Sequence, residues 1–446
     1  MRRSPGPDLA TSNRFRFHCT AEGAYLPEAR VTQEYEELPL SDAPPIVVIG
    51  AGAAGIMAAI FAADAGRRVL LLERTKDGGR KILISGGGRC NVLPSELSPA
   101  QYTTASSPNT LRKMLLSWPL AQQREFFERS LGIALQLEPE TGKLFPVSNR
   151  ARDVRDALLG AARNRNVEIR FEQTVHDVTP TADGWQVRLA QDSALSAAAV
   201  ILATGGLSVP NTGSDGIGLR IAKRLGHTIH ELYPALTPLT AEPAPHQSLA
   251  GVSLEVTLSA PLPRGSFNTR GGFLFTHRGY SGPSVLDISH LAVLARMRAH
   301  AQPILVQWTH LDAMAWEQRL RATGNATIGG LLKRDLPARL IDLLLQEAGV
   351  TADRSLAQLR KDERSRLVDV LARYPLPWTG DEGYKKAEVT GGGVALSEVD
   401  PRTLESKLHG GLFLCGELLD AFGPIGGYNF AWGWATGRAA GLGAGA

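Results

Sequence analysis

An α/β fold built on a Rossmann-type dinucleotide-binding domain with a β-meander follows from three features of the 446-residue chain. The apolar run Ile46-Val-Val-Ile enters the turn Gly50-Ala-Gly52-Ala53-Ala54-Gly55, and a second apolar strand, residues 69–72, ends in Glu73. A third uncharged strand, residues 198–202, ends in the small-residue turn Ala203-Thr204-Gly205. Between them, residues 174–178 and 185–189 flank Asp183-Gly184, the signature of a hairpin standing where a crossover helix would otherwise run.

Each glycine of the first turn has its own task. Gly50 permits the tight turn, Gly52 lets main chain approach a diphosphate, and Gly55 lets helix and strand pack closely. The helix opening at Ala53 and Ala54 directs unpaired N–H groups and its positive dipole end at the phosphates. Glu73, 18 residues past Gly55, is placed to accept from ribose hydroxyls, with Arg74 next to it. Val175 and the turn at residues 203–205 are expected on the adenosine side.

Residues 43–63 carry no charge and are long enough to span a bilayer, but Pro44, Pro45 and three glycines interrupt them. A strand, turn and helix account for every one of those glycines, so no membrane association is expected. Residues 1–42 lack periodicity, mix arginines with glutamates and read as a disordered extension. No apolar core follows Arg2-Arg3, which argues against a signal peptide. Charged residues at 21% and a net charge of +4 are ordinary for a globular enzyme. Cys19, Cys90 and Cys415 stand far apart, with no metal or dithiol spacing, so a cytoplasmic protein without a metal site is expected.

A second glycine cluster follows Glu73. In Gly78-Gly-Arg80-Lys81-Ile-Leu-Ile-Ser85-Gly86-Gly87-Gly88-Arg89-Cys90-Asn91, three consecutive glycines let main chain lie against a flat ring. Arg80, Lys81 and Arg89 bring positive charge to phosphates or to a reduced flavin anion. Near the C-terminus a strand at residues 411–415 leads into Gly416-Glu417 and Asp420, then Gly426-Gly427-Tyr428-Asn429 opens a helix. Gly433, Gly437 and Gly441 share one face of it for close backbone packing.

Residues 231–393 read as an insertion. Residues 252–258 alternate cleanly, and residues 272–276 and 304–308 follow as strands. Residues 312–374 are helical in pattern, with Leu331, Leu332, Leu336, Leu340, Leu343 and Leu344 on a core stripe.

Six blocks together resemble one family: residues 47–91, 142–146 (Gly-Lys-Leu-Phe-Pro), 203–210, 275–283 (Phe-Thr-His-Arg-Gly-Tyr-Ser-Gly-Pro), 383–394 and 411–441. They are similar to the BaiN/aminoacetone-oxidase-like FAD flavoproteins from about residue 45 to the C-terminus. The resemblance implies bound FAD and a FAD-binding domain in two parts, residues 43–230 and 394–446. It also implies an inserted β-barrel-like domain, residues 231–310 and 375–393, and a small helical domain, residues 311–374. Two departures stand out: Ala421-Phe-Gly-Pro-Ile425 where members often carry Asp-Val-Asp-Gly-like residues, and Phe430-Ala431-Trp432 where a central glutamine is usual.

Family members have been tied to dihydrouridine formation in large-subunit rRNA, to bile-acid enone reduction and to aminoacetone oxidation, so the resemblance fixes cofactor and fold rather than substrate. The leading expectation is an FAD-dependent reductase of a carbon–carbon double bond, with rRNA uridine as substrate and NAD(P)H as a transient reductant. An amine oxidase producing hydrogen peroxide and an enone reductase acting on a steroid-like small molecule are the alternatives. His277, Cys90 and Tyr428 are the candidate proton carriers. Two basic stretches favour RNA: residues 143–170 hold seven Lys/Arg against three acids, and residues 264–298 hold five arginines against Asp287.

Overall fold

The computed structural model describes residues 43–190, 193–321 and 326–446. The expected disordered extension, residues 1–42, lies outside the described residues.

A five-stranded parallel sheet organises the first lobe, in the order Leu412–Leu414, Ala199–Leu202, Ile46–Ile49, Val69–Leu72 and Glu168–Arg170. Its central strands are continuous apolar runs because both faces are covered. Helix Ala53–Asp64 covers one face and packs on helix Tyr428–Gly445. The glycines set that contact: a Cβ on Gly437 or Gly441 would lie 2.3 Å from the carbonyl oxygen of Ala54 or Ala58. The meander has three strands, Val175–Thr181, Gly184–Leu189 and Ala194–Ala197. The third escapes a sequence reading because Ala-Leu-Ser-Ala has neither β-branched nor aromatic residues.

The insertion carries a seven-stranded antiparallel sheet in the order Tyr374–Pro375, Leu305–Gln307, Ser253–Pro261, Ser266–Phe275, Gly279–Ser281, Leu239–Thr240 and Gly380–Asp381. Helices Ala313–Arg319, Ile328–Leu332, Ala338–Ala348 and Lys361–Ala372 share one hydrophobic core with that sheet. Leu331, Leu332, Leu336, Leu340 and Leu344 are buried in it, and Leu343 is partly buried. Strands Ile229–Ala235 and Val389–Val394 pair antiparallel at the two crossings of the chain, where we place the boundary of the insertion. Among the described residues no helix is long and apolar enough to cross a membrane.

Candidate active site

A cleft of about 430 Å³ opens beyond the C-terminal ends of the parallel strands, where ligands bind in open α/β sheets. The residue after each of three strands, Gly50, Glu73 and Ala203, lines it, as does Gly416 beyond the fourth.

Steric tests separate the three glycines of the first turn. Gly50 has φ +103°, and a Cβ there would sit 2.6 Å from the Ala203 carbonyl oxygen. A Cβ on Gly55 would meet the Gly50 carbonyl oxygen at 1.8 Å, so Gly55 lies under the turn and outside the lining. At Gly52 an added Cβ meets nothing within 4 Å. Packing therefore explains Gly50 and Gly55 and gives no steric reason for Gly52, which faces the cleft. Gly52, Ala53 and Ala54 present the uncapped start of helix Ala53–Asp64 to the cleft.

Glu73 is buried, and its carboxylate accepts from the Ala51 N–H at 2.8 Å and from the Thr75 N–H and hydroxyl at 2.8 and 2.7 Å. It lines the cleft with its position fixed and lone pairs to spare. Arg74, Arg80 and Lys81 also line the cleft, each tied to an acid: Asp215, Asp77 and Glu417 respectively. Glu417 is the hub of a network, accepting from Lys81 at 2.5 Å, the Ser208 hydroxyl at 2.7 Å and the Thr390 N–H at 3.0 Å. Val175, Thr204 and Gly205 line the same cavity.

Two stretches far apart in sequence meet here: Ser85, Gly86, Gly87 and Asn91 from one, Gly426, Gly427 and Asn429 from the other. Gly86, Gly87 and Gly88 all take positive φ, and a Cβ on Gly87 meets nothing within 4 Å. Asn91 is buried, and its Oδ1 has no hydrogen-bond partner among the described residues. An orphaned buried amide costs about 1–3 kcal/mol, which a ligand donor in the cleft removes. Asn429 spends its amide on the Gly423 backbone, at 2.9 Å in both directions, and fixes the loop that carries Gly426.

Several expectations need correction. His277 is exposed on a hairpin turn after strand Ser266–Phe275 and does not line the cleft. Cys90 is wholly buried, and burial pushes its thiol up to about 12, so it packs under the glycine loop instead of facing a substrate. Tyr428 lies outside the lining, its hydroxyl accepting from Gln101 at 2.9 Å. Arg89 turns away, stacked 4.0 Å from the Phe145 ring centroid and paired with Glu138, and Gly88 is likewise outside the lining. Asp420 is buried and accepts from the N–H groups of Ala105 and Ser106 and from the hydroxyls of Thr104 and Ser106; it latches that loop and is not part of the lining. Ala431 is buried in the core, so the residue at that position does not reach the cleft, while Phe430 and Trp432 do. Eight of the twelve Lys/Arg in the two basic stretches are paired to acids: Arg150, Arg155, Arg165, Arg170, Arg270, Arg278, Arg296 and Arg298.

Sequence reasoning missed Lys143 and Glu388, which line the cleft, and Asp287, whose Oδ1 accepts from the Ile425 N–H at 2.8 Å. Lys143 and Glu388 lie inside the conspicuous blocks 142–146 and 383–394, which offered a signal that residue chemistry alone did not isolate. Desolvation, and then Glu388, raise the Asp287 carboxyl to about 7. Glu388 is exposed to the open cleft, and desolvation by the cleft walls holds its carboxyl above the ordinary range.

A family model described as HI0933-like protein Rossmann domain matches residues 44–443. The chain is 34% identical over 401 residues to a ribosomal RNA dihydrouridine synthase of Escherichia coli (strain K12), covering 87% of this chain and 95% of that protein. It is 34% identical over 406 residues to a 3-dehydro-bile acid delta(4,6)-reductase of Clostridium scindens, covering 89% and 98%. Among solved structures, 3-ketosteroid delta1-dehydrogenase from Sterolibacterium denitrificans aligns with TM-score 0.50 and 14% identity, covering 90% of this chain and 99% of that one, which is a likeness of fold.

Proposed function

The chain belongs to the HI0933-like family and is an FAD-dependent oxidoreductase, and from that premise we propose that it reduces a carbon–carbon double bond conjugated to a carbonyl, with uridine in large-subunit rRNA as the substrate. The observation that carries this reading is what the relatives' names have in common. Forming dihydrouridine and reducing a bile-acid enone are the same net change, two hydrogens added across a double bond that a carbonyl activates. The substrate differs and the chemistry does not.

The residues fit the cofactor. Gly52, Ala53 and Ala54 would hold the diphosphate, Glu73 the ribose, and Val175, Thr204 and Gly205 the adenosine end. Ser85, Gly86, Gly87, Asn91, Gly426 and Gly427 would hold the ring, with the Asn91 amide gaining the partner it lacks. When bound and reduced, FAD supplies hydride. Helix Tyr428–Gly445 begins at Gly427 with no side-chain cap, so its free N–H groups favour negative charge at that end of the cleft.

The apolar wall of Ile84, Ala421, Ile425 and Phe430 favours a second reading, a steroid-like enone. Both are tested by reducing the purified flavoprotein anaerobically with NADH or NADPH and adding rRNA transcript, a 3-keto-4-ene steroid or an aliphatic amine with oxygen. Dihydrouridine in the RNA supports the main reading, and saturated steroid alone supports the second. Hydrogen peroxide from the amine, with neither double bond reduced, overturns both.

A further inference from the structure

The reaction needs a proton as well as a hydride, and none of His277, Cys90 and Tyr428 is in the lining of the cleft. Two titratable groups that do line it have no hydrogen bond or ion pair among the described residues: the Glu388 carboxyl and the Lys143 ammonium. Lys143 starts strand Lys143–Pro146, and its Cε lies 3.4 Å from where a Cβ on Gly426 would stand, which puts it against the ring-binding glycines. Glu388 is held by its backbone, its N–H donating to the Leu236 carbonyl and its carbonyl accepting from the Ser208 hydroxyl, both at 3.1 Å. Asp287, on helix Pro283–Met297, is anchored to the Ile425 N–H on the loop leading to Gly426. Two segments remote in sequence thus bring a carboxyl and an ammonium into the lining, and a third holds the Asp287 carboxyl outside the lining, on the loop that leads to Gly426.

We propose that Glu388 is the acid that delivers the proton to the substrate, with Lys143 and Asp287 completing a cluster that keeps this proton beside the cleft. The role rests on the reductase reading given above. Bound, reduced FAD would supply the hydride for the carbon β to the carbonyl, and the π pair would move to the α carbon. The Glu388 O–H bond breaks, its pair stays on the carboxylate and the proton forms the new C–H bond at the α carbon. The substrate is reduced and the flavin oxidised by two electrons, and a reduced nicotinamide restores the flavin. Lys143 and Lys81 are the cations that act on the carboxylate left behind, and Asp287 is the second acid, from which Glu388 is reloaded. Desolvation raises both carboxyls above the ordinary carboxylate range, Asp287 to about 7, so each holds its proton to higher pH than a free carboxyl does.

The test reduces the holoenzyme with dithionite, so that no nicotinamide step intervenes, and follows flavin reoxidation by rRNA transcript and by 2-cyclohexen-1-one. Glu388→Gln is expected to bind FAD with wild-type affinity in a fluorescence titration and to reoxidise about 100-fold more slowly or worse. The wild-type rate should fall as pH rises past a midpoint above the ordinary carboxylate range, and the variant should lose that dependence. Lys143→Met should shift the wild-type profile to higher pH, because removing a cation makes the carboxyl a weaker acid. In the FAD-free protein, infrared titration should show carboxyl absorbance persisting above the ordinary carboxylate range, and part of it should be missing in Glu388→Gln. A Glu388→Gln protein that reoxidises at the wild-type rate, or keeps the wild-type pH profile, overturns the role alone. A wild-type protein whose reduced flavin neither acceptor reoxidises overturns the reductase reading and this role with it.

Discussion

At the scale of single residues, neighbouring glycines in one turn divide between fold and ligand, and the division is testable. Gly55→Ala drives a methyl into the Gly50 carbonyl at 1.8 Å, so the turn must open. Gly52→Val adds its side chain to open cleft. Gly52→Val is expected to keep its thermal midpoint, measured without FAD, within a few degrees of wild type while losing most of its flavin. Gly55→Ala should lose about 2 kcal/mol or more of stability. Equal flavin occupancy in Gly52→Val and wild type would remove the diphosphate from that position. Asp287 provides a second measurement. Its folded carboxyl is raised from 3.8 to about 7. The protonated form therefore adds stability that is fully present below 3.8 and lost as pH rises through about 7. Asp287→Asn keeps an acceptor for the Ile425 N–H and removes the buried charge. Denaturant unfolding should show the variant gaining roughly 1–3 kcal/mol over wild type at pH 8 and no such gain at pH 4. A constant difference across that range would mean that Asp287 titrates normally.

At the scale of elements, what could be read in the sequence is what local sterics and periodicity determine. The strands around Gly50 and Glu73 were legible because four-residue apolar runs ending in glycine or an acid have few other uses. The Ser85–Gly88 turn was legible because consecutive positive φ values demand glycine. His277 misled because its chemistry was read without knowing which end of the sheet its hairpin faces, and that is set by pairing with Leu239–Thr240. Asp420 and Arg89 misled in the same way: each sits beside the site in sequence and spends its charge on a loop or a ring behind it. Glu388 and Lys143 were invisible as a pair because only the topology brings them together. Helix Tyr428–Gly445 shows the legible side at its sharpest, since its glycine spacing fixes its approach to helix Ala53–Asp64. Gly437→Leu puts a branched side chain against the Ala54 backbone, where a Cβ alone would lie 2.3 Å from the carbonyl oxygen. Separating these helices should cost about 2–4 kcal/mol in chemical denaturation and weaken FAD binding together with it, because Ala54 also lines the cleft. Loss of stability with unchanged FAD affinity would uncouple the helix contact from the cleft.

At the scale of the whole molecule, the parallel-sheet lobe supplies most of the cleft lining, and among the described residues the insertion adds to it only at its returning edge, through Glu388 and Val389. The charge of the two basic stretches, of which Lys143 alone lines the cleft, bears on RNA. With eight of the twelve cations in the two basic stretches already paired, Lys143, Arg152, Arg163 and Arg264 are the ones left without an ion pair among the described residues. Each phosphate neutralised contributes about 0.7–0.9 to the slope of log affinity against log salt. Four cations therefore set a slope no steeper than about −3 to −4 for the part of RNA binding that these stretches carry. Affinity for rRNA transcript, measured by filter binding across a salt series, should show that shallow dependence. Arg152→Glu combined with Arg163→Glu should flatten it by about 1.5–2. A slope near −8 would mean that the paired arginines exchange their carboxylates for phosphates on binding, so that the internal ion pairs act as a reserve of positive charge. An rRNA affinity that does not respond to salt at all would place recognition in base and shape contacts, with no phosphate held by these cations.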